Sequence, residues 1–315
     1  MKLKRVGKRS MLMLILLIML GLTSEPNLGM QRGKAKPMPD ESTAVIKHMK
    51  SVAVQITYKS DARTPWANGV AGTGFLVSAE GYAITAGHVV SETTTQLTNA
   101  GATRIEFFVN LSMDPSSTGG IVFRGSFITI GCTIVEVDTP HDVALIRLGS
   151  NPFKGEVKSP VAVAGKGLPL RVSVARFSPQ LPPEGTLLLV SGYPLSIPTM
   201  VTQRGIVASE SFRLVESQPP GAPPGFKFPE IADAIFLDVV VNPGNSGGPV
   251  YLADSGYVVG ICQGNVLSPL RWPDGQPVEV QRGNSQEILQ QNAGIATVIP
   301  IKYAITLLEK NKIRF

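Results

Sequence analysis

The chain has 315 residues, of which 43% are hydrophobic and 17% are charged, with 32 Gly and 25 Pro. This length accommodates one large domain or two moderate ones, and the abundant Gly and Pro favour an all-β architecture rich in turns. The formal net charge is +6, but five of the 29 basic residues precede residue 25, which leaves 24 basic residues against 23 acidic ones. The bulk of the chain is therefore nearly neutral, which removes the electrostatic basis for nucleic-acid binding.

The N-terminal segment has the pattern of a targeting signal. A basic stretch from Met1 to Arg9 precedes an apolar run from Met11 to Leu22. Such a run is too short to span a bilayer comfortably and suits the apolar region of a secretory signal. We expect residues 1–24 to be a signal peptide or, if uncleaved, a membrane anchor, and the rest of the chain to be exported. Residues 25–41 are expected to form a flexible tether.

Short strands separated by turn residues dominate the rest of the chain. The pattern predicts a helix over residues 42–50 and a closing helix over residues 301–312. The predicted strands are 52–58, 72–78, 83–85, 105–109, 121–130, 133–137, 143–148, 172–176, 186–190, 201–209, 234–241, 257–262 and 295–300. This series favours barrels or sandwiches, with a boundary near 150–170 that predicts domains at 42–160 and 161–315. Two long excursions, 210–233 and 264–293, are typical of functional loops.

The segment Gly244–Pro249, with the sequence GNSGGP, is the strongest chemical motif. It follows an apolar run and places Ser246 on a tight glycine-flanked turn, where a hydroxyl is exposed and backbone N–H groups can converge on one oxygen. Acyl transfer needs this combination of a nucleophile and a site for a developing oxyanion.

A serine nucleophile needs a base, and the base needs an orienting carboxylate. The segment 83–90 runs from an apolar strand through two small residues into His88, which predicts an imidazole at the strand end. Asp142 opens the apolar strand 143–148 and is the expected carboxylate, although a turn aspartate is the simpler interpretation after Pro140. Asp138, four residues earlier, is a competing candidate.

Three blocks of the sequence resemble the trypsin-like serine proteases, and specifically the HtrA/Deg branch of exported bacterial proteases. The blocks are Gly72–Val77 leading to His88, the segment Asp142–Ile146, and the segment Asp238–Pro249. They occur in the family's order and cover roughly residues 44–311. The resemblance implies two six-stranded antiparallel β-barrels with a C-terminal helix, and an active site in the cleft between the barrels.

The resemblance also implies roles for particular residues. His88, Asp142 and Ser246 would form the catalytic triad of a serine endopeptidase, and the backbone N–H groups of Gly244 and Ser246 would form the oxyanion hole. Val240 would lie at the floor of the primary specificity pocket, which predicts cleavage after small or medium apolar residues. The alternative is that Val240 points into the barrel core.

Two features of the sequence depart from the family pattern. Asn245 replaces an aspartate that pairs with a new N-terminal amine in digestive members, so we expect no activation by N-terminal cleavage. The chain ends about one helix after the last predicted strand, so we expect no PDZ domain. The oligomeric state stays open, and polypeptides are the expected partners. The expected location is the bacterial periplasm or the extracellular space, with membrane contact only through an uncleaved N-terminal segment.

Alternative functions are a non-catalytic binding protein on the same fold and an esterase that uses the same triad. No cofactor or metal site is expected, because the two cysteines and three histidines show no ligand spacing. Cys132 and Cys262 are interpreted as small buried hydrophobic residues, with a disulfide as the alternative.

Overall fold

The structure of the protein is a computed structural model. It describes residues 40–112, 127–155, 157, 162–163, 166–167, 172–214, 230–282 and 285–315. The predicted signal segment and residues 25–39 of the predicted tether lie outside the described residues. Among the helices of the described part, none has the length and apolar character needed to cross a membrane.

Six antiparallel strands close the first barrel in the order β1-β2-β3-β6-β5-β4. The strands are β1 (Ala53–Ser60), β2 (Asn68–Ser78), β3 (Tyr82–Ala86), β4 (Ile105–Ser112), β5 (Phe127–Asp138) and β6 (Val143–Leu148). Helix α1 (Asp40–Met49) precedes the barrel, and helix α2 (Gly87–Asn99) follows β3 directly. A short 3-10 turn, Thr139–His141, connects β5 to β6.

The second barrel also has six antiparallel strands, in the order β10-β11-β16-β13-β12-β9. The two-residue strands β7 (Ala162–Val163) and β8 (Lys166–Gly167) precede this barrel in the chain. A small hairpin of β14 (Glu279–Arg282) and β15 (Ser285–Ile288) forms a separate two-stranded sheet. The barrel strands are β9 (Leu187–Gly192), β10 (Val201–Leu214), β11 (Ile231–Asp238), β12 (Pro249–Leu252), β13 (Val258–Pro269) and β16 (Gln290–Pro300), and helix α3 (Ile301–Lys310) follows β16.

The two-barrel fold and the C-terminal helix confirm the predicted fold class. The strand predicted over Val172–Arg176 is wrong, because this segment joins no sheet. Its backbone makes single hydrogen bonds to three separate segments, from Ser173 N–H to the Ser51 carbonyl, from Ala175 N–H to the Leu76 carbonyl, and from Val258 N–H to the Arg176 carbonyl. The segments 121–130 and 133–137, predicted as two strands, contribute to the single strand β5, and residues 121–126 lie outside the described part.

Strands of the second barrel bury both faces where the barrels meet. Leu188 and Val298 belong to the core of the second barrel, whereas their neighbours Leu189 and Ile299 belong to a larger apolar cluster shared with the first barrel and α3. Alternate side chains on a strand point to opposite faces, so both faces of these strands are apolar. This shared core packs one barrel against the other.

Candidate active site

His88 is positioned by the junction of β3 and α2. It is the second residue of α2 and is only 7% exposed. The N–H of Gly87 donates to the carbonyl of Asp142 over 2.8 Å, which ties this junction to the start of β6. A Cβ at position 87 would lie 3.1 Å from both the carbonyl carbon and Oδ1 of Asp142, so glycine permits this close approach.

Asp142 binds His88 through both carboxylate oxygens. Oδ1 accepts the backbone N–H of His88 over 2.6 Å, and Oδ2 lies 2.8 Å from its ring Nδ1. Asp142 has left-handed backbone angles, φ 56° and ψ 45°, after the turn Thr139–His141, and it is 2% exposed. A carboxylate at Nδ1 favours the tautomer with the proton on that nitrogen, which leaves Nε2 as the acceptor.

The competing carboxylate, Asp138, has a different partner. Its Oδ2 lies 2.8 Å from Nδ1 of His141, and that imidazole stacks on Tyr303 of α3 with 4.0 Å between ring centroids. The geometry thus separates the two candidates, since Asp142 contacts His88 and Asp138 contacts His141.

Ser246 lies on a turn that fits against the first barrel. Gly244 and Gly247 on either side have positive φ angles of 99° and 82°. Thr73 of β2 fastens this turn, because its N–H donates to the Ser246 carbonyl over 2.8 Å and its hydroxyl donates to the Gly244 carbonyl over 2.6 Å. A Cβ on Gly247 would lie 2.0 Å from Oγ1 of Thr85, so only glycine fits there.

Two backbone N–H groups of this turn are available to an incoming oxygen. Among the described residues, the amides of Gly244 and Ser246 have no hydrogen-bond acceptor, whereas the amide of Asn245 between them donates to the Asn242 carbonyl over 3.0 Å. The bond from Thr73 to the Gly244 carbonyl fixes the peptide unit next to this pair. This pattern matches the requirement for an oxyanion site.

Gln263 on β13 connects the serine to the aspartate, and no sequence motif points to this residue. The Ser246 hydroxyl donates to the Gln263 carbonyl over 2.8 Å, and the side-chain Nε2 of Gln263 donates to Oδ2 of Asp142 over 3.1 Å. Gln263 is 4% exposed. His88, Asp142, Gln263 and Ser246 therefore form one continuous series of hydrogen-bonded residues across the two barrels.

The surroundings of His88 favour a charged imidazole. Burial by itself acts to lower the pKa of His88, but the charge of Asp142 and the hydrogen bond to it, with a further contribution from the charge of Glu92, raise that pKa above its ordinary value. Glu92 lies on α2, and burial raises the pKa of its own carboxyl group. A base that is easily protonated suits a group that must accept a proton and hold it briefly.

Val240 is half-exposed, with 49% of its surface open to solvent, whereas Val239 and Val241 on either side are buried. The alternative in which Val240 points into the barrel core is therefore wrong. The backbone carbonyl of Val240 accepts a hydrogen bond from Gln203, whose Oε1 in turn accepts from Nδ2 of Asn245 over 3.0 Å. The role of Val240 at the floor of a specificity pocket stays a prediction.

Both cysteines are free thiols in different barrels, which excludes the disulfide alternative in this structure. Burial raises the pKa of Cys132 and of Cys262 to about 12, so neither is a reactive thiolate near neutral pH. Within the described ranges, no cluster of three or more His, Cys, Asp or Glu side chains is suited to a metal ion.

The trypsin-like peptidase domain matches residues 72–261, which include His88, Asp142 and Ser246. The chain belongs to this family. The matched range begins in β2 and ends in β13, so it contains strands from both barrels of the trypsin-like fold.

HtrA serine proteases are among the similar proteins. Serine protease HTRA1 of Xenopus laevis is 30% identical over 190 residues, which are 60% of this chain and 30% of that protein. Serine protease HTRA3 of Homo sapiens is 30% identical over 190 residues, which are 60% of this chain and 32% of that protein. The match therefore spans about a third of the length of these curated relatives.

Solved structures share the fold at low sequence identity. The HtrA-type protease AlgW with a decapeptide has a TM-score of 0.50 and 18% identity, covering 85% of this chain and 66% of that one. The apo protease domain of MamO from Magnetospirillum magneticum has a TM-score of 0.50 and 16% identity, covering 84% of this chain and 98% of that one. At such identities the likeness establishes the fold alone.

Proposed function

We propose that this protein is a serine endopeptidase that hydrolyses peptide bonds through an acyl-enzyme. The observation that supports the proposal is the hydrogen-bonded series His88–Asp142–Gln263–Ser246, which contains residues from both barrels. A buried imidazole fixed by a carboxylate, linked through Gln263 to a serine on a glycine turn, supplies the groups that nucleophilic acyl transfer requires.

In the proposed mechanism, Ser246 Oγ attacks the scissile carbonyl while His88 Nε2 takes the hydroxyl proton. For this step the hydroxyl turns from the Gln263 carbonyl, to which it donates at rest, toward the imidazole. Asp142 keeps the ring oriented and stabilises the imidazolium. The negative oxygen of the tetrahedral intermediate binds the amides of Gly244 and Ser246.

The imidazolium then donates its proton to the leaving amine, and the carbon–nitrogen bond breaks. Water attacks the acyl-enzyme as His88 takes a proton from it, which releases the acid and restores the Ser246 hydroxyl. All proton transfers return the side chains to their starting states, so the cycle needs no cofactor.

The proposed substrates are polypeptides cleaved after small or medium apolar residues. The support is the apolar, half-exposed side chain of Val240 at the position expected for the pocket floor, which offers no counter-charge to Lys or Arg. The neutral Asn245, 1% exposed and hydrogen-bonded to Gln203, supports an enzyme that is active without a new N-terminal amine. We further propose that the protein acts in the periplasm or outside the cell, because of its signal-like N-terminus.

The test is proteolysis of an unfolded protein such as reduced, alkylated casein by the purified wild-type chain and by Ser246→Ala. We expect fragments only with the wild type, and mass spectrometry of their ends would give the residue before each cut. Cleavage by Ser246→Ala at the wild-type rate would overturn the proposal, as would hydrolysis of a small ester without any cleavage of casein.

A further inference from the structure

Past the site, one of the two edges of strand β13 has no partner among the described strands. On one side it pairs with β12 only from Val258 to Ile261, whereas on the other side it pairs with β16 out to Pro269. No other described strand pairs with the stretch from Gln263 to Pro269. A free strand edge can accept an extended peptide as an additional strand.

Beyond this edge lies an apolar segment, which we call the arm and define as residues 267–282 and 285–289. Five of its large apolar side chains are between 37% and 56% exposed: Leu267, Leu270, Trp272, Ile288 and Leu289. Soluble proteins rarely leave such a group open to water without a binding role.

Three backbone hydrogen bonds hold the base of the arm together. Leu270 N–H donates to Leu289, Leu289 N–H donates to Val278, and Val278 N–H donates to Leu270, each over 2.8 Å. Val278 is 91% buried at this junction, since 9% of its surface is exposed. The backbone that carries these side chains is therefore held by hydrogen bonds, which reduces the backbone entropy lost on binding.

The tip of the arm is a turn that carries Trp272. Its N–H donates to the Gln276 carbonyl over 2.8 Å, and its carbonyl accepts from Gly275 N–H over 2.9 Å. The guanidinium of Arg271 adds a bond of 2.7 Å to the Gly275 carbonyl. An exposed tryptophan on a fixed turn is the type of residue that anchors protein interfaces.

We propose that the arm binds an apolar stretch of the polypeptide substrate on the N-terminal side of the scissile bond; this proposal rests on the proposed function. The Gln263 carbonyl faces Ser246, so a bound chain enters the β13 edge at the scissile bond. All ladders of both barrels are antiparallel, and an antiparallel substrate directs its N-terminal part toward the arm.

The spacing fixes which substrate residues meet the arm. Strands advance about 3.4 Å per residue, so Leu270 lies roughly 24 Å along the chain from Gln263. The arm therefore contacts residues about five to eight positions before the cut. Because the contacts are apolar side chains, the substrate segment that they favour is itself apolar.

The experiment compares two fluorogenic peptides that share the last four residues before the cut. One carries Leu and Phe at positions five to eight before the cut, and the other carries Ser and Gly there. For the wild type we expect kcat/KM to be about tenfold higher with the apolar extension, because burying one or two such side chains supplies that much binding. In Trp272→Ser, the ratio of kcat/KM for the apolar peptide to kcat/KM for the polar peptide should fall to within about twofold of one.

The matched control is Trp66→Ser, in the loop between β1 and β2. The two tryptophans are similarly open to solvent, since Trp66 is 48% exposed and Trp272 is 56% exposed. Trp66→Ser should keep the wild-type ratio. A wild-type ratio near one, or an unchanged ratio in Trp272→Ser, would overturn the proposal. So would sedimentation showing that the wild type self-associates through the arm and that Trp272→Ser is monomeric.

A second measurement does not depend on catalysis. The chain contains two tryptophans, so Trp66→Phe combined with Ser246→Ala leaves Trp272 as the sole tryptophan fluorophore. Titration with the apolar peptide should shift its emission to shorter wavelength, and the polar peptide should not. If Ser246→Ala leaves proteolysis intact, the proposed function is wrong. The titration then still shows whether the arm binds the apolar peptide. An emission spectrum unchanged by the apolar peptide refutes binding at the arm.

Discussion

At the scale of single residues, the carboxylate of Asp142 is the most heavily bonded group of the site. It accepts from the His88 backbone N–H over 2.6 Å, from the Gln263 side chain over 3.1 Å, and faces His88 Nδ1 at 2.8 Å. Three donors from two barrels converge on two oxygens. The orientation of the imidazole is therefore set by the tertiary structure before any substrate binds.

The first prediction concerns pH. His88 must be neutral to act as the base, and its pKa is raised, so kcat/KM should rise with pH through a midpoint above the ordinary imidazole value. Glu92→Gln removes a charge that raises this pKa and should move the midpoint to lower pH. Glu80→Gln, at an exposed position, is the control and should leave the midpoint in place. A midpoint unmoved in Glu92→Gln would contradict the electrostatic account.

The second prediction concerns Gln263. Replacement by Leu keeps the backbone carbonyl but removes the donor to Asp142, so kcat should fall roughly tenfold while the protein stays folded. The acid limb of the pH profile should also move, because the Asp142 carboxylate loses the hydrogen bond from Gln263. The exposed Gln96→Leu on α2 is the control. Unchanged kcat and pH profile in Gln263→Leu would show that this side chain only fills space.

These residues also show what the sequence reveals at this scale. His88, Asp142 and Ser246 each lie in a local motif, a strand end or a glycine turn, that restricts their surroundings within a few neighbours. Gln263 has no such motif. Its bond to Asp142 joins positions 121 residues apart, so only the closed fold brings the two side chains together.

At the scale of elements, the serine turn depends on its contact with the first barrel. Gly247 has φ 82°, and a Cβ there would lie 2.0 Å from Oγ1 of Thr85 and 2.1 Å from the carbonyl of Thr73. The turn and β2 are therefore complementary surfaces, with the nucleophile between them.

The third prediction follows from this fit. Gly247→Ala combines a steric clash with an unfavourable backbone angle, so it should lower the free energy of unfolding by about 2–4 kcal/mol and abolish most activity. Gly131→Ala on β5 has open space around its Cβ and should change stability by no more than about 0.5 kcal/mol. Urea unfolding of the two variants measures the difference. Equal stabilities would mean that the turn is not held as described.

Helix α2 is one of the elements that the sequence analysis did not predict, together with strand β12 and the hairpin of β14 and β15. Residues 89–95 are rich in Val, Thr and Ser, which are weak helix formers, so the local preference opposes a helix. The helix forms because Val89 and Leu97 are buried against the first barrel. By contrast, α3 has a clear apolar stripe and was predicted over 301–312, close to its observed extent of Ile301–Lys310.

At the scale of the whole molecule, α3 helps to join the barrels. It follows β16 of the second barrel directly, and its buried side chains belong to the apolar cluster shared with β6 of the first barrel. Leu307 and Leu308 are 3% and 0% exposed. The helix therefore covers the shared core and couples the stability of the barrels.

The fourth prediction tests this coupling. Leu308→Ala should lower the free energy of unfolding by about 2–5 kcal/mol because it leaves a cavity in the shared core. Both barrels should still unfold in one transition, seen by circular dichroism. The neighbouring exposed residue provides the control Glu309→Ala, with little expected change. Two separate transitions in the wild type would contradict the shared core.

The overall two-barrel arrangement was predictable because strand runs, turn residues and three ordered blocks agree with one another. The arm was not, since the prediction ended its strand at Cys262 whereas β13 continues to Pro269. Past the barrel, the strand is stabilised by pairing with β16 from a distant part of the sequence. Sequence periodicity carries no information about such a partner.

Covalent labelling with a fluorophosphonate, followed by mass spectrometry of the digested protein, tests whether Ser246 is a nucleophile activated by His88. We expect one phosphonylated residue, Ser246, in the wild type, no adduct in Ser246→Ala, and much slower labelling in His88→Ala. Absence of an adduct on Ser246 in the folded wild type, or labelling that His88→Ala does not slow, would show that Ser246 is not activated in this way.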